Sequence, residues 1–208
     1  MQKFIVSQIK AAWLAVILLS GFITPTAYAF DYIKDTAAIG AAFMTHLTFH
    51  EIGHQVVAAE VGADSAQMRF FTMKDGKFYP GLSIHENVPE DSRLPYAIGG
   101  EYMAGHTFEF ALQSYRQKPT TYNRALMFFS GTDFVWYTLL AFYVYPQDDS
   151  YDPNSIREET GLSKEMMLSF VVAKALMNVY RVYNKDAKFI PMLRLDKTSA
   201  AFVVRFDF

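Results

Sequence analysis

The chain has 208 residues, of which 51% are hydrophobic, 16% aromatic and 19% charged, with a net charge of -2; this length suits one domain and a targeting segment. No basic cluster of five or more residues is present, so a nucleic-acid partner lacks electrostatic support and that class is excluded. Cysteine is absent, which excludes disulfides, thiolate zinc sites and cysteine nucleophiles and leaves His and carboxylate groups as the only metal ligands.

In chain order, Lys3 and Lys10 precede an apolar run over 11–23, and Ala27-Tyr28-Ala29 offers small residues for cleavage. Residues 1–29 therefore read as a signal peptide, or as an uncleaved membrane helix, ahead of a single metallopeptidase-like domain over 30–208. Residues 36–62 contain no helix breaker beyond Gly40 and Gly53 and predict one long helix. A β-hairpin follows over 67–84, turning at Lys74-Asp75-Gly76-Lys77.

The polar stretch 85–95, with Pro89 and Pro95, predicts a loop, and Gly99-Gly100 open a helix that runs to about residue 113. The most apolar run of the domain, 122–145, has about the length of a membrane span. Residues 147–159 are rich in Asp, Asn, Pro and Ser and read as a solvated loop before a helix over 163–183. Alternation of Phe202, Val204, Phe206 and Phe208 with other residues predicts a half-buried strand at the tail. The fold class is mainly α with a small β-hairpin, a multi-helix membrane-associated core with the active-site helix at 36–62 and an apolar helix at 122–145.

The chemistry concentrates in His50-Glu51-Ile52-Gly53-His54. Residues four apart lie one above the other on a helix, so His50 and His54 present two imidazoles to one ion. Glu51 is turned about 100° away from His50 and can reach a water in the open coordination position without being a ligand itself. Zinc lowers the pKa of that water to about 7, and Glu51 takes its proton as the water attacks a peptide carbonyl. Imidazole ligands favour Zn2+ over magnesium or calcium; iron, nickel and copper share the ligand type. The motif interrupts an otherwise apolar run over 37–59, where unpaired polar groups would each cost a few kcal/mol. A buried polar cluster without metal is the competing reading.

His50-Glu51-Ile52-Gly53-His54, followed by Ala58-Ala59 and Gly62-Ala63, resembles the active-site helix of the site-2 protease family of intramembrane zinc metallopeptidases. The resemblance extends over residues 36–146 by element order: active-site helix, hairpin, glycine-containing helix, then an apolar helix carrying an aspartate. It implies Asp133 as third zinc ligand. Asp133 stands in Phe129-Ser130-Gly131-Thr132-Asp133-Phe134, without the proline and Leu-Asp-Gly setting of the family, and Gly99-Gly100 is followed by Glu101.

A catalytic zinc site takes three protein ligands and a water, and four residues compete for the third place. Asp133 is an acid in mid-span that needs a cationic partner, or else a turn-forming Asp beside Gly131. Glu101, in Glu101-Tyr102-Met103-Ala104, resembles the third ligand of gluzincin peptidases, or is a first-turn glutamate facing the helix dipole. His46, one turn before His50, reads as an outer partner of the site, His106 is the remaining competitor, and His85 reads as a solvated loop residue. The sequence thus points to a membrane-associated zinc metalloendopeptidase with His50, His54 and Asp133 on the metal and Glu51 as general base, acting on a peptide or membrane-protein substrate in contact with membrane lipid. An exported or membrane metal-binding or structural protein without turnover, and a gluzincin-type peptidase using Glu101, are the alternatives. Export through the signal peptide places the protein at a bacterial inner membrane or on its periplasmic side.

Overall fold

The computed structural model describes residues 29–146, 148 and 150–206, so the leader expected at 1–29 falls outside it except for Ala29, as does the expected terminal residue Phe208. The chain divides into Met1–Ala37 and Ala38–Phe208; the described part of the first is helical, and the site lies wholly within the second. Helices predominate, accompanied by two antiparallel hairpins where the sequence predicted one.

Helix α1 (Ala29–Glu60) carries the His50 motif. It stops at Gly62, whose φ of 71° lets Gly62 N donate to Ala59 O at 3.3 Å and Ala63 N to Ala58 O at 2.9 Å, the paired bonds that satisfy the last carbonyls of a helix. Strands β1 (Asp64–Lys74) and β2 (Lys77–Glu86) pair with Lys74 opposite Lys77. The two residues between them, Asp75 and Gly76, have φ of 52° and 75°, the left-handed pair that matches strand twist in a tight hairpin.

Helix α2 spans Arg93–Gln117, beginning earlier than the sequence suggested. Pro95 lies in its first turn, where a missing N–H leaves no bond unmade. Gly99 and Gly100 consequently lie inside the helix rather than at its start, and their role is close approach. A Cβ on Gly53 would fall 2.2 Å from Gly99 O, and one on Gly99 would fall 2.7 Å from Gly53 O; α1 and α2 touch backbone to backbone at this point.

Helix α3 (Thr121–Leu139) starts at Thr120, whose side chain accepts from Asn123 N at 3.1 Å, and ends in a π-helical turn, Leu140–Val144. The expected solvated loop at 147–159 is a correction: Asp152–Thr160 is a helix, α4, closed by Gly161 in the left-handed conformation. The Asn154 amide donates to Tyr145 O at 2.9 Å, Asp148 O at 2.9 Å and Ala141 O at 3.4 Å, tying the start of α4 to the π turn and the segment after it. Helix α5 (Lys164–Tyr183) is capped by Ser163. The tail strand, β4 (Ala200–Phe206), pairs with β3 (Phe189–Leu195), which the sequence reading had not identified.

The main core joins Tyr79 and Leu82 of β2 to Leu94 and Ile98 of α2, Phe134 of α3, Ile156 of α4 and Val171 of α5. A second cluster, including Ala42, Phe108, Leu112 and Leu126, joins α1, α2 and α3. Among the described residues one helical segment, Thr121–Val144, is long and apolar enough to cross a membrane, and 44% of its most apolar window is buried within the protein.

Candidate metal centre

The helical stripe of α1 delivers His46, His50 and His54 to the interior, each at most 5% exposed. Their ring nitrogens are then sorted by what surrounds them. His54 Nδ1 lies 2.8 Å from Tyr96 O; a carbonyl only accepts, so the proton is on Nδ1. His50 Nδ1 lies 2.8 Å from Asp133 Oδ2, and His46 Nε2 lies 2.9 Å from Asp133 Oδ1. In the neutral rings of His50 and His54, both Nε2 atoms therefore present lone pairs.

Those two lone pairs face each other and a carboxylate. His50 Nε2 and His54 Nε2 are 3.3 Å apart, and Asp152 Oδ2 is 3.4 Å from the first and 3.2 Å from the second. Asp152 Oδ2 is buried with no hydrogen-bond partner among the described residues. Three converging acceptors repel one another unless positive charge lies between them. An ion bonded to imidazole and carboxylate at about 2.0–2.1 Å in tetrahedral geometry has ligand atoms roughly 3.3–3.4 Å apart, so the three atoms could hold a metal ion. Without an ion, protons are the alternative relief: burial works against a charged ring, but Asp133 and Asp152 outweigh it and hold His50 well above the ordinary imidazole value. His54 is raised likewise, burial opposing and Asp152 prevailing.

Space for the rings comes from α2. A Cβ on Gly100 would lie 2.4 Å from His50 Nε2 and 2.7 Å from His54 Nε2, so no larger residue fits under the pair. Glu51 is 5% exposed, and its carboxyl rests on β2, where a Cβ on Gly81 would fall 2.4 Å from Oε1. Burial raises the Glu51 pKa above the ordinary carboxylate value, with His50 and His54 acting in the opposite direction. A cleft of about 450 Å3 opens beside this group, lined among others by Glu51, His54, Asp152, Tyr96, Tyr137 and the β2 segment 81–85.

No family model, curated protein or solved structure matches this chain.

The sequence candidates are distributed by the fold as follows. His50 and His54 lie together with Asp152, and Glu51 lines the cleft beside His54. Asp133 does reach the site, but at the outer nitrogen of His50; among the described residues the group of ligand atoms within 4.8 Å of one another is His50, His54 and Asp152. Glu101 is buried and ion-paired with Lys174 of α5. His106 is exposed. His85, expected in a solvated loop, instead lies on β2 with Nε2 3.1 Å from Gln55 Nε2 and its ring against Tyr96. Asp152 escaped the sequence reading because Asp, Asn, Pro and Ser surround it. The available signal was Asp152-Pro153, an acid with proline just inside a helix start.

Proposed function

We propose that this chain is a zinc-dependent metallopeptidase in which His50, His54 and Asp152 hold the ion and Glu51 is the general base. The observation that carries this reading is the convergence of two imidazole lone pairs and an unpartnered carboxylate oxygen at 3.2–3.4 Å. Zinc, when bound, supplies Lewis acidity toward a carbonyl and acidifies water. The residues do the rest. Asp133 and Tyr96 O keep the two rings in the tautomer that can ligate, and Glu51, beside the ion site and open to the cleft, accepts a proton and returns it to the leaving amine. The likeness of the 50–54 motif to site-2 proteases supports peptide or membrane-protein substrates.

The test separates binding from turnover. Purified protein should carry about one zinc per chain, and Glu51→Ala should keep that zinc while peptide hydrolysis falls at least ~100-fold. Protein never exposed to chelator that holds no zinc, and takes up none when it is supplied, would remove the proposal.

We also place the protein at a membrane, reached by export, because Thr121–Val144 has the length and composition of a span. It should stay with the membrane fraction through an alkaline carbonate wash; recovery in the supernatant would assign this helix to a soluble core.

A further inference from the structure

We propose that His46 is a positioning residue that fixes the tautomer and aim of His50 through Asp133; this rests on the metal reading of His50, His54 and Asp152. The two candidate ligand rings are held in different ways. His54 Nδ1 donates to Tyr96 O at 2.8 Å, a main-chain carbonyl fixed by helix α2. His50 Nδ1 donates to a side chain, Asp133, at 2.8 Å, and a carboxylate with one partner can turn about its terminal torsion, which is broad.

The second carboxylate oxygen is where His46 acts. Its Nε2 lies 2.9 Å from Asp133 Oδ1, so each oxygen of Asp133 takes one ring and the carboxylate plane is pinned from both sides. His46 precedes His50 by one turn on the same helix, so both rings reach α3 from one face. The His46 ring is 4% exposed, and its other nitrogen, Nδ1, is buried with no hydrogen-bond partner among the described residues. Among the described residues its one polar contact is therefore Asp133. A residue needed only to tie α1 to α3 could be apolar; an imidazole with one nitrogen unsatisfied is retained at a cost, and the chain His46–Asp133–His50 gives that cost a use. Outer partners of metal-ligating histidines tune affinity by about 10–100-fold.

Zinc or cobalt affinity is measured by competition on the full-length protein in detergent, together with nitrogen chemical shifts of the histidine rings in metal-free protein at alkaline pH. His46→Leu should weaken metal binding ~10–100-fold with the melting transition still cooperative, and should convert His50 from one tautomer to a mixture. His46→Gln, which keeps an N–H donor toward Asp133, should restore most of the affinity. The His46→Leu, Asp133→Leu double variant should bind no more weakly than Asp133→Leu alone, because both act on one ring. Wild-type affinity in His46→Leu, or losses that add in the double variant, would overturn the proposal. If the wild type itself binds no metal, the metal reading fails, and the ring shifts still decide: an unchanged His50 tautomer in His46→Leu rejects the positioning role, and a mixed one upholds it.

Discussion

Asp152 Oδ2 stands 3.2 Å from His54 Nε2, joining helix α4, in the last third of the chain, to helix α1. Asp133, the acid that the family resemblance nominated, instead meets His50 from the outer side at Nδ1. The two aspartates should therefore differ in effect. On the proposed assignment Asp152→Ala removes a metal ligand and should abolish stoichiometric zinc, whereas Asp133→Ala should leave a site weakened by about 10–100-fold. Metal analysis after dialysis against a graded chelator ranks them; the reverse order would return the third place to Asp133.

Gly100→Ala offers a test in which local helix preference and site geometry oppose each other. Alanine is favoured over glycine by roughly 0.8–1 kcal/mol inside a helix, yet its Cβ would fall 2.4 Å from His50 Nε2. Helix content by circular dichroism should be unchanged or slightly higher while zinc affinity falls more than ~10-fold. Unaltered affinity would mean that the rings do not lie over Gly100.

Asn154→Ala should act at a distance. The substitution removes the amide that lies 2.9 Å from the carbonyls of Tyr145 and Asp148; each keeps one backbone donor, Asp148 N at 3.2 Å and Tyr151 N at 3.1 Å, so the cost is that of the lost hydrogen bonds, about 0.5–1.5 kcal/mol each. It also frees the start of α4, which carries Asp152. Denaturant unfolding should show the destabilisation, and metal affinity should drop with it. A stability loss with zinc binding untouched would show that Asp152 is held in place by other contacts.

Asp148 links the hairpin to the segment that leads into α4: Oδ2 accepts from Lys77 Nζ at 2.7 Å and Tyr79 Oη at 2.9 Å. Burial favours the neutral acid, but the bonds from Lys77 and Tyr79 outweigh it and lower the Asp148 pKa below its ordinary value. Because the folded value is depressed, the stabilisation is fully present above the unfolded carboxylate value of about 3.9 and is lost as pH falls through the folded one. Asp148→Asn should cost about 1–3 kcal/mol at neutral pH and flatten the fall in stability below about pH 4. Unfolding curves across acid pH check this, and a variant with the wild-type acid slope would contradict it.

Local rules read directly from the residues account for much of the molecule. The four-residue spacing of His50 and His54 placed two imidazoles on one face before any fold was known, because that relation is internal to a helix. Asp75-Gly76 dictated the hairpin turn by the same locality, through the φ values that such residues tolerate. Pro95 misled, since proline is equally at home in a loop and in a first helical turn, and it hid the true start of α2. Only the tertiary structure decided which acid faces the lone pairs. Asp133 and Asp152 both come from segments far along the chain, and their placement depends on the π turn at Leu140–Val144, the three carbonyls gathered by Asn154 and the glycine contact of α1 with α2. Those are long-range packing relations, and no periodicity within a single segment encodes them.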